Sequence, residues 1–99
     1  MIAHLLEALR VKDPETYKAY RSLPNMHLME GTAVLSAWLQ SVLQDACQKR
    51  GWLLKQSTFA ARPSAEIWKP EDSICNTYMG TGDSPAEALL RCYLEAIIC

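Results

Sequence analysis

Apolar positions recur with a helical period through the first half of the chain, alternate after Gly51, and return to a helical period at the end. That order predicts helices, then strands, then a last helix. Ile2, Leu5, Leu6 and Leu9 share one face of a short amphipathic helix over Met1–Arg10, with His4, Glu7 and Arg10 elsewhere. Asp13 caps a second helix whose first position is Pro14, with Tyr17, Tyr20 and Leu23 as buried positions and Pro24 as its stop. The two make a helical hairpin. A loop from Asn25 to Gly31 leads to the longest periodic segment, carrying Val34, Leu35, Trp38, Leu39, Val42, Leu43, Ala46 and Cys47. Lys49 and Arg50 favour its C-terminus, and Gly51 ends it.

Three short strands follow, Trp52 to Phe59, Ala65 to Lys69 and Ile74 to Met79, bounded by Pro63, Pro70 and glycine. Connections this short favour antiparallel neighbours. Gly80-Thr81-Gly82-Asp83 then turns into a helix that starts at Pro85, with Ser84 as N-cap and Glu87 three residues on as its capping-box partner. Glu87, Arg91 and Glu95 form one narrow charged line. The rest of this helix is apolar: Leu89, Cys92, Tyr93 and Ala96 make one stripe, and Leu90, Leu94, Ile97 and Ile98 widen it beyond the face of a surface helix. It needs cover on more than one side. The expected fold is α+β in a single domain, 1–99. An N-terminal helical extension (1–24) precedes an α-β-β-β-α core (32–99) whose three-stranded antiparallel meander packs on both helices.

Composition narrows the function classes. A chain of 99 residues supports one modest core, and its stability margin leans on an oligomer or partner. The net charge of −1 argues against an affinity built on neutralising phosphates. Cys47, Cys75, Cys92 and Cys99 show no CxxC spacing and follow no signal peptide, so free thiols in a reducing cytosol are expected. No apolar run approaches the roughly 20 residues that cross a bilayer. The expectation is a soluble cytoplasmic protein with no membrane partner.

Candidate chemistry is sparse. His4 and His27 are the only histidines, and no GxSxG or CGxC-like element marks a nucleophile beside them. Cys75, Cys92 or Cys99 with His27 would supply zinc ligands, but without paired spacing buried small hydrophobes are the simpler reading. Neither a metal nor a cofactor is expected. Gly80-Thr81-Gly82 before a helix start suits an anion, although Asp83 favours a plain turn and cap. Trp52 and Trp68, on neighbouring strands, would form a base-stacking platform if they faced solvent, with Lys55, Arg62 and Lys69 as basic companions. Cross-strand packing of the two rings is the competing reading.

Two resemblances bear on these residues. The order α-β-β-β-α from Thr32 to Cys99, with Gly80-Thr81-Gly82-Asp83-Ser84 opening the last helix, resembles the double-stranded-RNA-binding domain. That family follows its turn with a lysine cluster, whereas Pro85, Ala86, Ala88 and Leu89 stand here, and Ala60-Ala61-Arg62-Pro63 lacks its GPxH-type loop. The chain is also similar to small phage and prophage proteins of the phage ABA-sandwich type, through Ala37-Trp38 on the helix before the sheet and Ser84 to Arg91 on the terminal helix. This resemblance covers the last two thirds of the chain. It implies a bacterial host cell and a compact accessory protein that binds host or phage proteins, including as an inhibitor of a defence complex such as CRISPR. The resulting expectation is a non-enzymatic protein-binding protein, by homodimer or host partner. Leu90, Leu94, Ile97 and Ile98 of the last helix, or Leu5, Leu9, Tyr17 and Tyr20 of the N-terminal extension, are its interface residues. The alternative is a nucleic-acid-binding module using Lys55, Arg62, Lys69, Trp52 and Trp68.

Overall fold

The computed structural model describes residues 3–23, 33–59, 62–70 and 77–98. Its elements are α1 (Ala3–Lys12), α2 (Pro14–Arg21), α3 (Ala33–Lys49), β1 (Leu53–Phe59), β2 (Arg62–Trp68), β3 (Thr77–Thr81) and α4 (Pro85–Ile98). The strands form one antiparallel sheet in the order β1-β2-β3. This is the α+β fold expected from the periodicity, with four helices and a three-stranded meander among the described residues.

Local chemistry fixes the helix ends. The Asp13 side chain caps α2, accepting from the Thr16 amide at 3.4 Å and its hydroxyl at 2.7 Å, and Pro14 follows where no donor is needed. Gly51 adopts φ +75 at the end of α3. There its amide donates to the Gln48 carbonyl and that of Trp52 to the Cys47 carbonyl, the paired bonds of a Schellman turn. At α4 the Glu87 amide donates to Ser84 Oγ at 3.1 Å, and Glu87 Oε2 in turn accepts the Asp83 amide at 3.3 Å. The capping box is therefore present, with its return bond one residue earlier than Ser84 itself.

Strand boundaries differ from the expected ones. Trp52 precedes β1, and β2 reaches back to Arg62 rather than starting at Ala65. Pro63 is tolerated because it stands near the strand's beginning, where one missing ladder donor costs little, and its carbonyl takes the Gly82 amide. β3 runs two residues beyond Met79, through Gly80. The loop from Asn25 to Gly31, and Ile74 and Cys75 at the expected start of the third strand, lie outside the described residues.

The sheet has two unlike faces. In register, Leu54, Ile67 and Tyr78 form one row, and Gln56, Ala65 and Gly80 the next. This face meets the helices. At Gly80 the approach is closest: a Cβ there would lie 2.6 Å from the Cys92 amide nitrogen and 2.7 Å from the Ala88 carbonyl oxygen. Small residues on α4 at Ala88 and Cys92 let its backbone rest on β3, and the Cys92 thiol donates to the Tyr78 carbonyl at 3.0 Å. α3 lies alongside, where Gln56 exchanges hydrogen bonds with Gln40 and Gln44. The α1–α2 pair closes the other side of the helical layer. Leu5, Leu9 and Tyr20 are buried there, and the Trp38 indole donates to the Tyr20 carbonyl at 2.8 Å, near the end of α2 where carbonyls lack partners within the helix.

Candidate functional site

The apolar residues expected to form an interface are mostly spent on the chain's own core. Leu90 is fully buried and Leu94 6% exposed, and Leu5, Leu9 and Tyr20 are equally enclosed. Tyr17 and Ile97 are half-buried against the same cluster, and the Ile98 side chain lies outside the described residues. Leu5, Leu9, Tyr20, Leu90 and Leu94 therefore belong to the core of the chain itself, and only Tyr17 and Ile97 among the described candidates keep part of their surface exposed. The sheet, α3 and α1 together supply the cover that the wide apolar surface of α4 requires.

Those helices also converge on a polar junction. The Tyr93 hydroxyl, wholly buried on α4, donates to Asp13 Oδ2. The same carboxylate takes the Thr16 hydroxyl and an Arg50 guanidinium nitrogen at 2.9 Å. Burial alone would raise the Asp13 carboxyl, but the bonds from Tyr93, Thr16 and Arg50 outweigh it and hold the carboxyl below its ordinary value. Burial, reinforced by the bond to Asp13, pushes Tyr93 up to about 12. Arg50 also stands 5.2 Å from the centre of the Trp52 ring, which packs against Tyr93 with centroids 6.0 Å apart. On the other side of this seam the Lys69 ammonium lies 4.7 Å from the Trp52 ring and 4.8 Å from the Tyr78 ring, and donates to the Ala96 carbonyl in the last turn of α4. Each group is engaged by a neighbour in the chain. The junction ties the N-terminal helices to the core and presents no free acid, base or nucleophile to a substrate.

Other candidate chemistry is similarly occupied. Cys47 and Cys92 are buried, and burial pushes both thiols up to about 12, which removes thiolate character at neutral pH. His27, Cys75 and Cys99 fall outside the described residues. Among the described residues no three His, Cys, Asp or Glu side chains are placed to share a metal ion, and no helix is long and apolar enough to cross a membrane. At the turn before α4, the Asp83 and Glu87 amides that an anion would use are taken by side chains of the turn itself. An open groove of about 320 Å³ between α2 and α3 is lined by Asp13, Thr16, Ala19, Val42, Ala46 and charged rim residues. Two ion pairs, Arg50–Asp13 at 2.9 Å and Lys49–Asp45 at 3.0 Å, already pair most of that rim.

Among the described residues, the second face of the sheet carries the exposed side chains, with Ser64 the buried exception. Leu53 and Trp68 stand opposite each other with Thr77 beyond. Lys55, Glu66 and Met79 form the next row, then Ser57, Ser64 and Thr81. Leu53 is 57%, Trp68 50% and Met79 67% exposed. Lys55 and Arg62 are exposed on this face, and Arg62 lies 3.8 Å from Asp83. Of the nucleic-acid candidates, Trp68, Lys55 and Arg62 share this face, whereas Trp52 is half-buried against Tyr93 on the opposite side and Lys69 is buried among aromatic rings.

Leu53 and Met79 were not singled out by the sequence, nor was the junction at Asp13, Arg50 and Tyr93. For Leu53 the period of two was undecided, since Leu53, Lys55 and Ser57 alternate with Leu54 and Gln56 and each series holds one leucine followed by polar residues. The junction joins residues 37 and 80 positions apart and carried no local signal. Compared with known proteins, the chain matches no family model, no curated protein and no solved structure.

Proposed function

We propose that this chain is a non-enzymatic binding protein that engages a protein partner through the open face of its sheet. The observation that carries this reading is the gathering of Leu53, Trp68 and Met79 on one face. They are three of the five large apolar side chains left exposed among the described residues. Scattered apolar residues are ordinary, whereas a contiguous patch marks an interaction surface. Its charge favours protein over nucleic acid: Glu66 stands in the middle of the face between Lys55 and Met79, and the enclosed Lys69 contributes nothing to a phosphate track. The resemblance to phage and prophage proteins supplies the setting of the proposal. The partner is a host or phage protein in the bacterial cytoplasm, and inhibition of a defence complex such as CRISPR is the particular role.

The rival reading, a double-stranded-RNA-binding-like module, gives the test. A duplex RNA of about 20 base pairs, longer than the ~16 such a domain spans, is titrated into the chain between about 50 and 200 mM salt. No saturable binding is expected, and Lys55→Ala with Arg62→Ala should change nothing. Tight binding that falls steeply with salt and disappears in that double variant would overturn the protein-binding reading.

A further inference from the structure

Independently of the sheet face, we infer that α1 and α2 form a flap that opens from α3 and α4 as one unit, pinned by Asp13, while the sheet and the other two helices stay folded. Asp13 stands at the corner between α1 and α2 and serves both. Its amide donates to the Leu9 carbonyl at 2.8 Å and closes α1, and its side chain caps α2. The same carboxylate accepts the Tyr93 hydroxyl of α4 and the Arg50 guanidinium just beyond α3. Loss of that one anchor loosens the corner of the pair and both of these ties to the core together, which makes release cooperative. The bond from the Trp38 indole to the Tyr20 carbonyl holds the far end of α2.

The apolar side of the docking is thin. Among the described residues the pair contributes three buried apolar side chains, Leu5, Leu9 and Tyr20, whereas α4 alone contributes eight. A region with so little buried apolar surface opens at a free energy below that of global unfolding. α4 keeps its place without the flap, since its backbone rests on β3 at Gly80 and α3 lies beside it. Solvent already reaches the pin: the open groove between α2 and α3 runs along Asp13, Thr16 and Arg50, and the Arg50 side chain is 42% exposed. Once released, helices of 10 and 8 residues do not persist in water, where helices shorter than about 12 to 15 residues are marginal. Opening therefore melts both helices and uncovers the Tyr93 hydroxyl, which the closed flap seals.

Hydrogen exchange of the intact chain near neutral pH, followed by nuclear magnetic resonance at low urea concentrations, tests this. The amides of Leu9, Tyr17 and Tyr20 are expected to share one opening equilibrium and one shallow urea slope. Their protection should be at least about 100-fold lower than that of Ala65 in β2 and Leu90 in α4, whose slope is that of global unfolding. Asp13→Asn should raise the opening of the flap amides about tenfold. Ile67→Val, a mild change in the core between sheet and helices, should speed exchange at Ala65 and Leu90 about three- to tenfold. The flap amides should not respond to it, because the closed and open states share that change. A single opening for all these amides, different openings for Leu9 and Tyr20, or flap amides that follow Ile67→Val as closely as the core does would each overturn the flap. Flap amides indifferent to Asp13→Asn would overturn Asp13 as its pin.

Discussion

Gly80→Ala is expected to lower the unfolding free energy by about 3 kcal/mol, at the upper end of what overpacking costs. The reason is the kind of atom in the way. A Cβ at Gly80 would sit 2.6 Å from the Cys92 amide nitrogen and 2.7 Å from the Ala88 carbonyl oxygen, and neither can rotate aside as a side chain could. Relief requires α4 to lift from β3, which would loosen the packing of Leu89, Leu90 and Tyr93, all fully buried. Against a typical total of about 5–15 kcal/mol, the urea midpoint should fall sharply, and Gly80→Val should fail to fold. Gly51→Ala makes the contrast. Nothing lies within 4 Å of a Cβ there, so only the left-handed backbone at φ +75 opposes it, for about 1–2 kcal/mol. Equal effects at the two sites would show that the close approach of helix and strand is not what Gly80 serves.

Asp13→Ala is expected to cost about 3 kcal/mol, because it strips one acceptor from three donors at once. The Tyr93 hydroxyl, the Thr16 hydroxyl and the Arg50 guanidinium lose their shared partner, and α2 loses its cap. Asp13→Asn, which keeps the shape, separates charge from packing through its pH dependence. The carboxyl is held below its ordinary value in the folded chain. Its stabilisation is therefore complete above the ordinary carboxylate range of about 4 and is lost as pH falls through the folded value. The stability gap between the native chain and Asp13→Asn should accordingly be widest near neutrality and close in acid. Tyr93 behaves in the opposite sense. Its folded value is raised from 10.0 to about 12, so its contribution is complete below pH 10.0 and is lost as pH rises through about 12. A gap between the two chains that stays constant from neutrality into acid would contradict the account of the junction.

Particular elements show how far the sequence could be read. The helix at Ser84–Pro85 was legible because capping is local: Ser84, Pro85 and Glu87 carry the whole signal within four residues. Gly51 likewise announced the end of α3. The breadth of the apolar surface on α4 correctly implied cover on several sides, but periodicity does not say whether that cover comes from the same chain. Here the sheet, α3 and α1 provide it, which places Leu90 and Leu94 in the core. Trp52 and Trp68 show the same limit. Both lie in strand-like stretches, yet the register partner of Trp68 is Leu53 and not Trp52, and that one-residue offset sends the two rings to opposite sides of the sheet. Lys69 read as a basic surface residue, and only the fold reveals that its ammonium rests among Trp52, Tyr78 and the last turn of α4.

If the open sheet face binds a protein, two forms of the tagged chain that differ only there should differ in what they capture. The native form and a Trp68→Asp, Met79→Asp variant, both confirmed as folded by circular dichroism, are presented to the same nuclease-treated bacterial lysate, and bound proteins are quantified by mass spectrometry. The expected result is a protein retained in stoichiometric amount by the native chain and lost by the variant. A partner held equally by both forms, or recovery of nothing but the chain itself, would contradict it.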